Sequence, residues 1–188
     1  MKLLFKIVLL AVAWLAVFIV GASSGVIHPA CYAYAGAVMP LLFAFVYLYG
    51  CTLVRRFGVA TALNGILLVA ALLTGEADTA FIFGVVLLTA LTEIIRKACG
   101  YDTLKGVRRS FLPLAYSFFA YSAHWWTDTE GSLAAAVEEM PAGYDELMRP
   151  VIDNIPMLTV ALLLTSPVAV LSMRLAEQVL RKQAATLK

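Results

Sequence analysis

The chain has 188 residues, 62% of them hydrophobic and only 14% charged, with a mean hydropathy of +0.89. A soluble domain carries about 25% charged residues, so this composition excludes an ordinary soluble enzyme and points to a membrane protein. The net charge of +2 is too small to mark a nucleic-acid binder; the placement of the charges carries the information instead.

Residues 7–54 contain no Asp, Glu, Lys or Arg. As one helix they would be about 72 Å long, against a hydrocarbon core about 30 Å thick. The run must fold back, and "GASSGVIHPACY" at 21–32 is where Gly, Ser and Pro permit it. Further uncharged runs cover 57–75, 110–127 and 154–173, and 79–95 is interrupted only by Glu93. The expected fold is an all-α integral membrane protein, a single transmembrane domain over 1–188. Its six spans lie near 4–22, 31–53, 57–75, 79–96, 110–126 and 155–176. The first span has a rival reading. Lys2 and Lys6, the apolar run and Ala22-Ser23-Ser24 also fit a secretory leader, but 7–22 exceeds the usual apolar core of about 7–15 residues.

Along the chain, His28 precedes Pro29, which suits the first position of the second helix. Two readings of this turn stay open, a plain reversal or part of a site. Tyr32 and Tyr34 interleave with small residues, as in close helix packing plus an interfacial aromatic belt; alternatively Tyr32 lines a pocket. Asn64 in the third span is expected to hydrogen-bond a neighbouring helix. Glu93 is followed by Arg96 and Lys97 on the same helical face, which predicts a local ion pair. The basic loop "RKACGYDTLKGVRR" anchors topology or adds a docking surface. At the end of the fifth span, Tyr121, His124, Trp125 and Trp126 offer stacking faces and hydrogen-bond donors suited to a small-molecule site. The belt explains either Trp, but explains His124 less well. The 127–154 connection is long enough for a lid, with Ser132 expected as the N-cap of one short helix and "YDELMRPVI" forming another. Pro167 is expected to kink the last span. Cys31, Cys51 and Cys99 imply no disulfide framework.

With the N-terminus inside, the inner segments hold every Lys and Arg except Arg149, and the outer segments hold Glu76, Asp78, Asp128, Asp153 and most other acids. The positive-inside rule then places both termini in the cytoplasm. There is no P-loop, no H-E-x-x-H and no G-x-S-x-G, and the two histidines lack a metal-binding cluster. No cofactor or metal is expected, and any ATP dependence must come from a partner.

The order "GVIHPACYAYAGAVMPLLFAFVYL", "LLTGEADTAFIFGVVLLTALTEIIRKACGYDT", an aromatic fifth span, "MPAGYDELM" and a basic-tailed last span resembles the substrate-binding (S) components of energy-coupling factor (ECF) transporters, in their Trep_Strep or MptB-type branch. The resemblance covers nearly the whole chain. It implies a six-helix bundle that captures a small nutrient outside and carries it across by toppling. The implied partners are a transmembrane coupling (T) component and two ABC-type ATPases. It also implies that the substrate sits near the outer surface, under the loops between spans 1–2, 3–4 and 5–6, which here contain His28, Glu76, Asp78 and the 127–154 segment; with the aromatic reading above, the candidate substrate contacts are His28, Tyr32, Tyr121, His124, Trp125 and Trp126. Ala11, Ala13 and Ala16 on the first helix would contact the T component, although the strict Ala-x-x-x-Ala spacing is absent, with Leu15 in the fourth place after Ala11. The aromatic cluster suits a flat or ring-bearing cargo, and an iron or haem-like complex is conceivable because His and Tyr ligate iron. Two other readings compete: an integral-membrane enzyme acting on a lipid-linked substrate through His28, His124 and Asp128, and a ligand-free scaffold.

Overall fold

The computed structural model describes residues 2–187, with side chains from Phe5 onward. The side chain of Lys2 and all of Lys188, both part of the charge map, lie outside that set. Twelve α-helices, with two short 3-10 turns, make up the described residues, and no strand occurs among them. One end of the bundle carries the acidic connections around 75–78 and 128–153. The other carries the basic stretches at 54–58, 96–109 and 180 onward.

Helix α1 (Lys2–Ser23) turns Leu10, Trp14, Phe18 and Gly21 inward at helical spacing, and its opposite stripe of Leu9, Val12, Ile19 and Val20 is exposed. Trp14 stacks on Phe43 at 4.5 Å between ring centroids, which makes α1 an integral wall of the core. Among the described residues three helices are long and apolar enough to cross a membrane: Phe5–Val26, Thr79–Cys99 and Ile155–Val179. Pro40–Leu53 and Val59–Thr74 are apolar but shorter.

The expected second and fifth spans are not continuous helices. The second divides into α2 (Pro29–Ala33), a 3-10 turn at Ala35–Ala37, and α3 (Pro40–Leu53). Pro40 has no N–H to give the carbonyl four residues back, and the chain tightens to i+3 bonds such as Val38 N–H to Ala35 O at 2.9 Å. Then come α4 (Val59–Thr74) and α5 (Thr79–Cys99). The fifth span divides into α6 (Leu104–Leu114), α7 (Ser117–Ser122) and α8 (His124–Thr127). Pro113 lies inside the last turn of α6, and the break that follows is pinned by Tyr116, whose hydroxyl donates to Leu162 O at 3.1 Å.

The broken elements fit each other. Phe118 packs against Gly21, Phe119 against Gly36, and Ala120 against Gly84, where a Cβ would collide with each neighbour. Thus α7 sits deep because three glycines on three elements admit it. Helices α9 (Thr129–Glu139) and α10 (Tyr144–Ile152) occupy most of the 127–154 connection. The N-cap of α9 is Asp128, accepting from Gly131 N–H, and not Ser132 as expected. Helix α11 (Ile155–Val179) continues through Pro167, and its buried Ala161, Thr165, Ala169 and Ser172 present a small-residue face for close packing on α3. Short α12 (Arg181–Ala184) closes the basic end.

At that end the expected ion pair at Glu93 is replaced by a different arrangement. Glu93 is only 3% exposed, and its Oε1 accepts from Gly58 N–H and Ala60 N–H, both at 3.0 Å, and from Thr61 N–H at 3.4 Å. A carboxylate here meets the free N–H groups and positive dipole end of α4. Gly58 makes the turn possible at φ 116°, a conformation a side chain would strain. Arg96, with no exposed surface, donates to Val54 O at 2.8 Å, Tyr101 O at 3.1 Å and Cys51 O at 3.4 Å, at the carbonyl end of α3. Two charges one helical turn apart on α5 thus hold the end of one helix and the start of the next. Among the described residues the ion pairs are Arg108–Glu177 and Arg149–Glu130. Asn64 meets the sequence expectation: its amide donates to Thr89 Oγ1 at 2.9 Å on α5 and to Ser117 Oγ at 3.2 Å on α7.

Candidate functional site

Two cavities stand out. The larger, about 750 Å³, is an open groove between α4 and α5. Its accessible surface is nearly all apolar, although Asn64, Thr89, Glu93 and Lys97 also line it, and it borders outward residues such as Val86 and Ile94 that are exposed on the helix faces. The second, about 540 Å³, lies at the acidic end and combines aromatic rings with polar groups. A specific small-molecule site needs convergent polar groups as well as apolar wall, so the acidic-end cavity is the candidate.

Four separate stretches bring its walls together. Tyr32 comes from α2, residues 75–78 from the α4–α5 connection, Tyr121, His124 and Trp125 from α7 and α8, and one face of α9 with Tyr144 of α10 closes over them. Tyr32 is the hub. Its ring makes edge-on contacts with Phe118 at 6.0 Å, Trp125 at 6.2 Å and Tyr121 at 6.3 Å, a favourable aromatic geometry.

His124 is held from both sides. Its Nδ1 lies 2.8 Å from Ser132 Oγ, and Tyr32 OH lies 3.4 Å from Nε2. The Ser132 hydroxyl also lies 3.1 Å from His124 O. Its one hydrogen can serve either His124 O or Nδ1, so Ser132 ties the ring to the start of α9 in either tautomer. This explains why Ser132, one turn inside α9, is polar and buried. Tyr121 in turn donates to Glu76 Oε2 at 2.5 Å. Asp78 and Asp128 also line the cavity, each with one oxygen capping a helix, Asp78 on Phe81 N–H at 2.8 Å and Asp128 on Gly131 N–H at 3.3 Å.

Two donors on the wall have no partner. Trp125 is 3% exposed and its Nε1 makes no hydrogen bond; Tyr144 is 7% exposed and its hydroxyl is likewise unpaired. Burial pushes the Tyr144 hydroxyl above its usual range, so it stays a neutral donor. Buried polar groups are nearly always paired; these two belong to residues of one cavity wall, while Asn64 Oδ1 and Glu93 Oε2 are unpaired beside the larger groove.

The remaining sequence candidates lie elsewhere. His28 is exposed and away from the cavity wall; its Nδ1 accepts from Ala30 N–H at 3.1 Å, capping α2, and Pro29 takes the first helical position as expected. Trp126 faces α10 and donates from Nε1 to Ile152 O at 3.2 Å. Ala16 is on the exposed stripe of α1, while Ala11 and Ala13 are half-buried. Asp128, named from the sequence as an acid–base candidate, and Glu76 and Asp78 of the outer loops also line the cavity, together with Glu139 and Tyr144, which the sequence did not single out. For the acids the signal was the acidic bias of the connections, which topology alone accounts for.

The sequence of residues 2–185 matches the family model of a hypothetical bacterial integral membrane protein, Trep_Strep. The chain belongs to the Trep_Strep family. Membership and the apolar helices together make it membrane-embedded. No curated protein and no solved structure matches it. The family description assigns no activity, so function rests on the cavity.

Proposed function

We propose that this Trep_Strep protein is the substrate-capture (S) subunit of an ECF-type ABC importer, binding a small nutrient in the acidic-end cavity. The observation that carries the reading is that cavity: about 540 Å³, half-open, aromatic and polar, where several connections converge, with two buried donors in its lining residues left unpaired. Its volume falls within the usual range of small-molecule sites, about 300–1,000 Å³. The positive-inside bias puts this end outside the cell and both termini in the cytoplasm, with six passes counted if the short and broken apolar segments complete the second, third and fifth crossings. A nutrient would then enter from outside and sit beneath α9 and α10.

The chain has no nucleotide-binding motif, so ATP hydrolysis belongs to two ABC-type ATPases and coupling to a T component. The exposed face of α1 near Ala16 is apolar and offers that component a surface. Co-expression with the T component and ATPases of the source cell tests the assembly: a stable complex on purification is expected. Native mass spectrometry tests capture: a retained small molecule, lost in Trp125→Ala, is expected. Absence of both would overturn the reading.

A further inference from the structure

We propose that the acidic-end cavity takes a flat organic cation that carries at least one hydrogen-bond acceptor. The inference rests on the capture reading above and assigns its substrate class.

Charge comes first. Glu76, Asp78, Asp128 and Glu139 all contribute to the wall, and no Lys or Arg does among the described residues. The nearest cation on the lid, Arg149 of α10, is turned to Glu130, with its Nη atoms 3.3 and 3.4 Å from the carboxylate oxygens. An anionic ligand would therefore meet carboxylates with no compensating cation, and like-charge juxtaposition opposes binding. A cation meets the opposite.

Size comes second. Among the described residues no three or more His, Cys, Asp or Glu side chains converge closely enough to hold a metal ion. The carboxylates are spread around the wall of a cavity of about 540 Å³, so the complementary charge is carried on a molecule rather than on a bare ion. The rings of Tyr32, Tyr121, Trp125 and Tyr144 supply the rest of the enclosure, and aromatic faces attract organic cations.

The acceptor comes third. Trp125 Nε1 can only donate, is buried, and has no protein partner. Tyr144 OH is a second unpaired group on the same wall. Both atoms are covered, so a turn of the Trp125 ring or of the Tyr144 hydroxyl would bring them to an acceptor on the ligand.

Three isosteric probes separate these properties: the cation 1-methylpyridinium-3-carboxamide, neutral pyridine-3-carboxamide, and anionic pyridine-3-carboxylate. Binding to the purified full chain is read by thermal shift and calorimetry. The cation is expected to bind at least about tenfold tighter than the neutral amide, as cation–π and charge complementarity require, with no binding of the anion. Glu76→Gln keeps an acceptor for Tyr121 while removing the charge, so it should fold normally and erase most of that preference. Asp128→Asn, which retains a capping side chain, provides a second variant should Glu76→Gln not fold. A preference for the neutral or anionic probe, or no binding of any of the three, overturns the cation assignment. The importer reading falls separately, only if the chain also fails to join a T component and retains no molecule from the cell.

Discussion

The two ends of the molecule use polar residues in different ways. At the basic end, Glu93 and Arg96 are buried charges bonded to backbone groups of the helix ends beside them, at 2.8–3.4 Å for the principal contacts. At the acidic end, Tyr32, His124, Ser132, Tyr121 and Glu76 form hydrogen-bonded pairs around an empty volume, while Trp125 and Tyr144 keep unpaired donors on its wall. Glu93 Oε2 and Arg96 Nε are unpaired as well, so the two ends differ less in saturation than in what their polar groups surround: helix ends at one, an aromatic and acidic cavity at the other. Glu93 would attract attention as an intramembrane acid; its Oε1 is accounted for by the start of α4, while Oε2 stays unpaired beside the larger groove.

The largest effect that probes this contrast is Arg96→Met. It leaves the Val54 and Tyr101 carbonyls without their donor and should destabilise the fold by about 3–5 kcal/mol, as when one member of a buried charged network is removed. Unfolding in detergent, followed by circular dichroism, reads it. Unchanged stability with lost ligand binding would reverse the roles of the two ends. Next is Trp125→Phe, which keeps a ring and deletes the unpaired N–H. Affinity for the cationic probe should fall about tenfold, near the value of one hydrogen bond, with little change in Tm; calorimetry checks both. Trp126→Phe should do the converse, lowering stability by about 1 kcal/mol through loss of its bond to Ile152 O while changing affinity less. The smallest effect is His28→Ala, which removes a helix cap worth about 0.5–1 kcal/mol and should leave affinity unchanged. A larger loss of affinity there would return His28 to the site.

Much of the organisation was legible before any coordinates. The uncharged runs, the reversal at 21–29 with Pro29 opening a helix, and Asn64 bridging helices all follow from local composition and from the high penalty on unpaired polar groups in hydrocarbon. The breaks in the second and fifth apolar segments were not. Pro40 and Pro113 were visible, but proline is tolerated within membrane helices when neighbours re-satisfy the backbone, so only the seating of Phe118 and Phe119 against glycines of other elements decided where the chain bends. The same applies to Glu93, whose i+3 and i+4 neighbours suggested an ion pair, while two helix ends brought against α5 by the fold competed for both charges.

The candidate site divides in the same way. The clustering of Tyr121, His124 and Trp125 follows from their adjacency in sequence, and Tyr32 was marked as an alternative to the aromatic belt. Trp126 and His28 carry the same chemistry one or a few positions away, yet one faces α10 and the other caps α2. Helical rotation of about 100° per residue separates neighbours such as Trp125 and Trp126, and only the packed bundle says which direction holds a cavity. By itself the sequence determined that the chain is membrane-embedded and helical, and which end is acidic, because hydrophobic length and charge bias act locally. The tertiary structure alone decided that Glu76, Asp78, Asp128 and Tyr144 join the aromatic cluster around one cavity, because those residues come from segments that meet only when the bundle closes.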